Sequence, residues 1–299
     1  GMPYRPLLDA LRPHLDTLAR WLRDAQHPLR PYRLDLARLL PDLAPDEPLP
    51  PLLQGVIIKG NAAPMEAAAN MADGILFRFW VTHTIETSFI FVRKQTPRIP
   101  AGVTIRAATA ADVPQMQAFQ DREAPRRHGY PVYDFQKLMA GDPYYTGLRI
   151  TDYALAWRGD TLIGMLAGWD QKAYKQTRVM GFKPVIQALR PLYNLYVGMV
   201  GGFKLPPIGG ALNYLTLYNV LIADDDPAIF QALIDWVMAH QGQRYDALAT
   251  AVTHGDPLET VPRGYKRQKL LSENLWMSYG EDPRPGMDAR PLYAELGRL

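Results

Sequence analysis

The sequence has no cysteine among its 299 residues and little net charge, formally +3. Without cysteine the chain forms neither disulfides nor thiolate metal sites, which fits a reducing cytoplasm. No run of Lys and Arg rises above the background, and this argues against nucleic acid as a main partner. The histidines lack the spacing of a zinc site, so we expect no metal. Those considered are His14, His27, His83, His128 and His240.

The sequence also lacks a long uninterrupted apolar run. Its most apolar stretch, residues 181–204, is interrupted by Arg190 and Asn194, so we expect no membrane span. Aromatic residues and basic flanks leave two alternatives for this stretch, a lid or membrane-surface helix, or packing on the rest of the chain. Charged residues throughout the first 16 positions do not resemble a signal peptide.

What is present is the composition of a globular protein with a core, 47% hydrophobic and 21% charged residues. The length is sufficient for two domains. Proline-rich stretches at 41–51 and 97–102 cannot hold regular structure and mark borders. We therefore predict an N-terminal α/β unit over 1–96, a second domain over 103–282, and a C-terminal tail over 283–299.

The N-terminal unit is predicted to contain both helices and strands. Amphipathic helices are indicated within 4–40, a short buried strand at 55–60, and an Ala-rich helix beginning near Pro64. Two further strands, 75–81 and 86–94, are rich in aromatic and β-branched residues, and we expect a hairpin between them.

The second domain opens with a strand at 103–107, followed by a helix that Thr109 caps together with Asp112. Residues 153–170 form the clearest hairpin pattern, two apolar strands around Gly159-Asp160. Gly164 interrupts the second of these strands as a β-bulge would.

The stretch 214–241 organises the rest of the chain. YLTLYNVLI is apolar on both faces, as in a strand that helices cover. An acidic turn, Asp224 to Asp226, then leads into AIFQALIDWVMAHQ, whose apolar residues have helical spacing. A strand that runs directly into a helix leaves free backbone N–H groups and a positive dipole end, which favours phosphate binding. Two further strands are predicted at 245–252 and 273–280, with a helical turn between them.

These patterns resemble the GNAT (GCN5-related N-acetyltransferase) superfamily. TIRAATAADVPQM resembles its first strand and helix, YALAWRGDTLIGMLAGWD its second and third strands, and residues 214–241 its acyl-CoA-binding strand and helix. PRGYKRQ resembles the segment that enters the last strands. The resemblance covers about 103–280 and implies a mixed, mostly antiparallel sheet flanked by helices. The N-terminal unit is either a partial GNAT-like repeat or an unrelated α/β cap.

The resemblance also implies a mechanism. Two splayed strands leave backbone groups free to pair with the pantetheine arm of acetyl-CoA or another acyl-CoA, and the pyrophosphate lies at the following helix. An amine substrate then attacks the thioester, and a tyrosine often protonates the leaving thiolate. The donor-contacting residues implied in this way are Val220, Leu221, Ile222, Ala228, Ile229 and Phe230.

The acidic turn departs from the family's phosphate loop, Q/R-x-x-G-x-G/A. Asp225 stands at the Arg/Gln position, and Ala228 and Phe230 stand at the two small-residue positions. The three aspartates lie where an anion would bind, and each like-charge contact at ~4 Å costs roughly 4 kcal/mol at a dielectric of about 20. Thr260 occupies the usual tyrosine position. The aspartates either bind a divalent cation or an amine, or cap the helix.

Candidate catalytic residues lie on the central strand and after the next one. Tyr218 is the candidate acid, with core packing as the alternative. His254 and Glu259 are candidate bases, with a surface turn as the alternative. Asn219 and Asp170 are candidate substrate-binding residues; Asp170 begins a polar, partly basic stretch that suits either a phosphate or carboxylate ligand or a solvated face.

Three functions follow as hypotheses. The first is acyl-CoA-dependent N-acyl transfer, such as N-acetylation, to a small amine. The alternative is a non-catalytic GNAT-fold module that binds an amine or amino-acid-like ligand through the acidic turn. The third is a scaffold that acts through protein contacts, for example as a homodimer.

Overall fold

The computed structural model describes residues 53–61, 78–200, 202–278 and 282–298. The predicted helices within 4–40 and near Pro64, and the suggested GNAT-like repeat, fall largely on residues outside these ranges.

The chain divides into two compact units. One comprises residues 1–54, 62–80 and 276–284, and the other comprises residues 55–61, 81–275 and 285–299. The three-part division drawn from the sequence, 1–96, 103–282 and 283–299, stays a prediction.

The architecture is α/β, built on one eight-stranded mixed sheet. Its strand order is β1-β8-β2-β7-β6-β5-β4-β3. The pairs β3–β4, β4–β5, β5–β6 and β2–β7 are antiparallel, and β6–β7 is parallel. The strands are Leu53–Ile58 (β1), Arg78–Phe91 (β2), Val103–Ala107 (β3), Tyr153–Arg158 (β4), Thr161–Trp169 (β5), Tyr214–Ile222 (β6), Ala247–Thr253 (β7) and Arg267–Ser278 (β8).

Helices cover the sheet and connect its strands. Short 3-10 turns precede the first of them at Ala110–Asp112 and the fourth at Ala223–Asp225. The α-helices are Val113–Glu123 (α1), Phe135–Met139 (α2), Pro184–Val200 (α3), Pro227–His240 (α4) and Thr260–Arg263 (α5).

The predicted hairpin between 75–81 and 86–94 is wrong. One continuous strand, β2, runs through Thr82–Ile85 and pairs with β7 from Ile85 to Phe91. The physical reason is that the expected turn contains no Gly, Asn, Asp or Pro, and its β-branched threonines and isoleucine favour an extended backbone.

The hairpin predicted over 153–170 is confirmed as β4 and β5. Gly159 has φ +57° at its turn, a conformation that glycine adopts without a steric penalty. The pairing between β4 and β5 changes register between Ala156, which lies opposite Gly164, and Trp157, which lies opposite Leu162. The bulge was expected at this place. A Cβ at Gly164 would lie 2.8 Å from Ile229 Cγ2, so the absence of a side chain at Gly164 lets α4 pack closely on the sheet.

The strand–turn–helix of residues 214–241 is present as β6, the 3-10 turn and α4. Ile229, Phe230, Leu233, Ile234 and Val237 are all buried, as the helical spacing predicted. They pack on one face of the sheet, while α1 and several tyrosines pack on the other.

The long excursion between β5 and β6 contains α3. Several of its apolar side chains are exposed, including Leu192, Leu195 and Met199. Among the residues that the structure describes, no helix is both long and apolar enough to cross a membrane. The two alternatives for this stretch stay open.

Candidate functional site

The central strands part at one end of the sheet. β6 and β7 pair in parallel only at Tyr214–Thr216 and Ala247–Ala249, and then diverge. On its other side, β6 pairs with β5. Ala167 of β5 lies opposite Tyr218, and the next pair in the ladder is Met165 opposite Leu221. Asn219 and Val220 therefore fall outside this ladder, and Asn219 has φ +52°, a left-handed conformation that Asn tolerates well. The resulting β-bulge aims backbone N–H groups away from β5.

A short part of the chain's own end fills the gap between the parted strands. We call residues 291–298 the C-terminal segment. The Thr253 hydroxyl on β7 donates to the Leu292 carbonyl at 2.8 Å. On β6, the N–H of Val220 donates to the Tyr293 hydroxyl at 2.9 Å. Leu292, Tyr293 and Glu295 are buried. The segment thus bridges the two strands where they no longer pair with each other.

The loop after α1 holds the outer side of the same segment. His128 donates its backbone N–H to the Pro291 carbonyl at 2.9 Å and accepts from the Tyr293 N–H at 2.8 Å. This is a parallel β-bridge between His128 and Leu292. The C-terminal segment therefore occupies the gap as an added strand would, with main-chain pairing on one side.

The Glu295 carboxylate is the hydrogen-bonding centre of the gap. Its Oε2 accepts from the Asn219 N–H, the Tyr133 hydroxyl and the Tyr293 hydroxyl, each at 2.9 Å. Its Oε1 accepts from the Gly297 N–H at 3.0 Å. Burial raises the pKa of Glu295, although these hydrogen bonds oppose the shift.

Tyrosines and Asn219 complete a buried polar cluster around this carboxylate. Asn219 Oδ1 accepts from the Tyr130 hydroxyl, and Asn219 Nδ2 donates to the Tyr153 hydroxyl at 3.2 Å. Burial raises the pKa of Tyr130, Tyr153 and Tyr218 above the ordinary tyrosine value. These phenols stay protonated at neutral pH and are able to donate hydrogen bonds.

The acidic turn beside the gap is engaged by arginines. Asp224 and Asp225 both have positive φ. The buried Arg127 guanidinium donates to Asp225 and to the buried Asp256. Burial alone would lower the pKa of Arg127, but the two carboxylates outweigh it and raise the pKa.

The N-terminus of α4 carries its own carboxylate. Asp226 Oδ1 accepts from the Ala228 N–H at 2.9 Å, so Asp226 is the N-cap, as the capping alternative predicted. Pro227 has no N–H to offer. The amide groups at this helix start are therefore less available to a phosphate than in an uncapped helix. Among the described residues, no cluster of three His, Asp or Glu is arranged to hold a metal ion.

The structure brings three of the predicted site residues together at the gap, Tyr218, Asn219 and Val220. Tyr218 and Asn219 are fully buried, and the Tyr218 hydroxyl accepts from Arg298 Nη2 at 3.2 Å. Leu221 and Ile222 follow on β6 and are buried.

The other predicted residues lie around this centre. Ile229 and Phe230 are buried in the hydrophobic core, and the Ala228 N–H is the one that Asp226 caps. His254 is exposed after β7, and Glu259 accepts from the Gly255 N–H at 3.1 Å.

Asp170 lies after β5. Its carboxylate accepts from the Tyr245 hydroxyl at 2.8 Å and from the Lys172 N–H at 3.1 Å. The roles assigned to all the predicted residues stay predictions.

Sequence reasoning missed the residues that fill the gap. Tyr130 and Tyr133 lie in the loop HGYPVYDF, which the sequence marked only as a source of aromatic side chains. Glu295 and Arg298 lie in a segment without any motif. The one signal in the sequence was its large number of tyrosines, 16 in the chain. A buried tyrosine hydroxyl usually needs a hydrogen-bond partner, so many tyrosines on a sheet indicate buried polar contacts.

A separate open pocket of about 390 Å³ lies away from the gap. It is lined by Arg149, Gly168, Leu215, His240 and Arg244 among others, and it contains none of the predicted site residues. The parted strands, the bulge and the buried polar groups all meet at the gap, which is therefore the candidate site.

No known protein-family model matches the chain, and no curated protein sequence does either. Among solved structures the chain is similar to a GCN5-related N-acetyltransferase from Sphaerobacter thermophilus. The two are 12% identical, the TM-score is 0.49, and the match covers 85% of this chain and 71% of that one.

Two further solved structures are similar at the same low level. A GCN5-related N-acetyltransferase from Anabaena variabilis is 11% identical with a TM-score of 0.39, covering 85% of this chain and 51% of that chain. Saccharomyces cerevisiae N-myristoyltransferase, solved with bound myristoyl-CoA and inhibitors, is 8% identical with a TM-score of 0.40, covering 77% and 65%. At these identities and TM-scores nothing about chemistry follows from these similarities.

Proposed function

We propose that this chain is an acyl-CoA-dependent N-acyltransferase that acts on a small amine, and that its donor site is the gap between β6 and β7. The observation that carries the proposal is that this gap accepts an extended chain. The C-terminal segment lies in it: the Tyr293 hydroxyl accepts from the Val220 N–H on β6, and the Leu292 carbonyl accepts from the Thr253 hydroxyl on β7. The main chain of the segment pairs with His128. A pantetheine arm is also extended and carries amide groups that pair with a strand edge.

The donor and the C-terminal segment then compete for one place. Displacing the segment breaks hydrogen bonds worth about 1 kcal/mol each and exposes Leu292, worth about 2 kcal/mol. A site that is free in only a fraction of the molecules has its apparent affinity reduced by that fraction. The proposal therefore predicts weak acyl-CoA binding by the wild-type chain and stronger binding when the segment is weakened.

Tyr218 suits the role of the acid in this reaction. The amine attacks the thioester carbon, the C–S bond breaks, and the thiolate takes a proton. The Tyr218 phenol carries a proton at neutral pH, and Tyr218 directly precedes the bulge. Burial raises the pKa of this phenol and so weakens it as an acid, whereas Arg298 lowers the pKa. His254 or Glu259 would accept the proton that the attacking amine loses.

Gly297 gives a direct test of the proposal. A Cβ at Gly297 would lie 2.6 Å from Cδ2 of the fully buried Tyr218, so Gly297→Ala forces the segment away without changing β6 or β7. Overpacking of this kind costs about 1–3 kcal/mol, which corresponds to binding of acetyl-CoA that is roughly 5- to 150-fold tighter. Calorimetric titration with acetyl-CoA and longer acyl-CoAs measures this change.

Gly286→Ala is the matched control. Gly286 lies shortly before the same segment, and a Cβ there meets nothing within 4 Å. Its affinity for acyl-CoA should equal that of the wild type. If neither variant binds acyl-CoA below millimolar concentration, the acyltransferase proposal is wrong. Where binding appears, thiol release with a panel of small amines measures turnover.

A non-catalytic ligand-binding module is the second candidate. It is favoured by one observation, that the chain's own Tyr293 and Glu295 already satisfy the N–H groups of the bulge. This candidate predicts a rise in Tm with amine ligands and none with CoA or acyl-CoA, in the wild type and in Gly297→Ala alike.

A further inference from the structure

Arg298 is surrounded by aromatic rings at the mouth of the gap. Its guanidinium carbon lies 3.4 Å from the centroid of the Tyr144 ring, 4.8 Å from Trp169, 5.5 Å from Tyr218 and 5.9 Å from Tyr145. Cations are attracted to aromatic faces within about 6 Å. We call these four rings the aromatic cage.

The cage also offers hydrogen-bond acceptors that match a guanidinium group. Arg298 Nη2 donates to the Tyr144 carbonyl at 2.8 Å and to the Tyr218 hydroxyl at 3.2 Å. Among the described residues no carboxylate forms an ion pair with Arg298, so ring faces and neutral oxygens hold the cation. The 3.4 Å distance to Tyr144 is that of a planar group stacked on a ring, which favours guanidinium over a compact ammonium.

The rings are fixed independently of Arg298. Trp169 Nε1 donates to the Thr146 carbonyl at 3.0 Å, and the Tyr145 hydroxyl accepts from the Asp134 N–H at 2.9 Å. Trp169 and Tyr218 pack edge to face with centroids 4.6 Å apart. A cage whose rings hold one another in place costs little to organise for a second cation.

The cage is accessible from solvent. Tyr144 is 45% exposed, and Arg298 is exposed on its outer side. The C-terminal segment carries Arg298 into the cage and Glu295 into the gap, so one displacement opens both.

We propose that the aromatic cage is a binding site for a small ligand with a guanidinium group, and that Arg298 occupies it as an intramolecular stand-in for that ligand. Binding to the cage does not depend on acyl-CoA. The further assignment, that the ligand's amine end is the acyl acceptor, rests on the proposed function, because the cage shares Tyr218 with the donor gap.

Arg298→Met removes the cation from the cage while keeping a flexible side chain of similar length. The probe is agmatine, which carries a guanidinium and an amine, and calorimetry without any CoA compound measures its binding. We expect Arg298→Met to bind agmatine at least tenfold more tightly than the wild type. Putrescine, which has ammonium groups only, should bind more weakly, and uncharged butanol should show no binding.

Two further variants make the test specific. Arg149→Met removes an exposed arginine that pairs with Asp152 outside the cage, and it should bind agmatine as the wild type does. Adding Tyr144→Leu to Arg298→Met should weaken agmatine binding at least tenfold, because the closest ring is lost. A folded Arg298→Met that binds agmatine no better than Arg149→Met overturns the proposal, as does binding that Tyr144→Leu leaves unchanged.

The wild-type chain provides the same test if Arg298→Met does not fold. Agmatine then competes with Arg298, so hydrogen exchange at residues 296–298 should accelerate with agmatine and stay constant with butanol. No acceleration at saturating agmatine overturns the proposal. Because these experiments contain no CoA compound, a failure of the donor-site proposal does not affect their outcome.

Discussion

Glu295 accepts a hydrogen bond at 2.9 Å from the backbone N–H of Asn219, the residue at which β6 bulges away from its neighbour. A buried carboxylate from the C-terminal segment thus satisfies a main-chain donor that the parted strands leave free. Buried N–H groups without a partner are costly, so the bulge requires some acceptor, either from the chain or from a ligand. This requirement underlies the proposal that the segment and an extended ligand exchange in the gap.

The hydrogen bond from the Val220 N–H to the Tyr293 hydroxyl lies one residue after Asn219, and removing it tests this exchange. In Tyr293→Phe the ring stays but the acceptor for the Val220 N–H is lost. The form with the C-terminal segment in the gap loses about 1–2 kcal/mol, so the free energy of unfolding falls and acetyl-CoA binds roughly 5- to 30-fold more tightly. Calorimetry and urea unfolding measure the two quantities.

Tyr265→Phe is the matched control. The Tyr265 hydroxyl donates to the buried Asp235 at 2.7 Å on the α4 side of the sheet. Its loss should lower stability to a similar extent and leave the affinity for acetyl-CoA unchanged. Equal affinities in the two variants would mean that the Tyr293 hydroxyl does not hold the gap closed.

Asp226 at the start of α4 is predicted to weaken phosphate binding by its charge. Asn caps a helix about as well as Asp, so Asp226→Asn should change stability by less than about 0.5 kcal/mol. It should tighten acetyl-CoA binding, and the gain should shrink as salt is raised. Asp224→Asn is the control, because the Asp224 side chain is 90% exposed in the same turn. Calorimetry at two salt concentrations measures the acetyl-CoA affinity of both variants. Equal gains in affinity for Asp226→Asn and Asp224→Asn would contradict a specific effect of Asp226 at the helix start.

The buried Arg127 is predicted to be a structural residue. Arg127→Met leaves Asp256 buried without a cation, and breaking such a pair costs about 3–5 kcal/mol. Arg126→Met removes an exposed arginine nearby and should cost less than about 1 kcal/mol. Adding Asp256→Asn and Asp225→Asn to Arg127→Met should restore much of the loss. Urea unfolding distinguishes these cases, and a small loss in Arg127→Met would contradict the assignment.

Glu295 predicts a pH dependence of stability. Burial raises its pKa above the ordinary 4.5, so the folded chain holds this proton more tightly than the unfolded chain does. Glu295 therefore makes the folded state less stable as pH rises from about 4.5 through the raised pKa. Other groups titrate in the same range, so the informative quantity is the difference between wild type and Glu295→Gln. Unfolding free energies measured across this range should fall less steeply in Glu295→Gln; parallel curves would contradict the prediction.

Local patterns in the sequence predicted the strand–turn–helix of 214–241 and the hairpin around Gly159, because each is defined by periodicity and turn residues close together in the chain. They failed at Thr82–Ile85, where a short stretch between two segments rich in aromatic and β-branched residues was predicted to be a turn, whereas the strand continues through it and pairs with β7 from Ile85 onward. The position of β2 beside β7 depends on contacts across more than 150 residues, which periodicity does not encode.

The candidate site was predicted only in part for the same reason. Tyr218, Asn219 and Val220 follow from the strand that carries them. Glu295 and Arg298 reach the gap through a non-periodic segment whose position depends on long-range hydrogen bonds to Asn219 and Tyr218. The occupancy of the gap by the chain itself is therefore a property that only the three-dimensional structure reveals.

Hydrogen–deuterium exchange of the wild-type chain, with and without saturating acetyl-CoA, tests the central claim most directly. If the donor replaces the C-terminal segment, amides of residues 292–297 exchange at least about tenfold faster with acetyl-CoA, while amides of residues 219–222 stay protected by the donor. If residues 292–297 remain protected while acetyl-CoA is bound, the donor lies elsewhere and the account is contradicted.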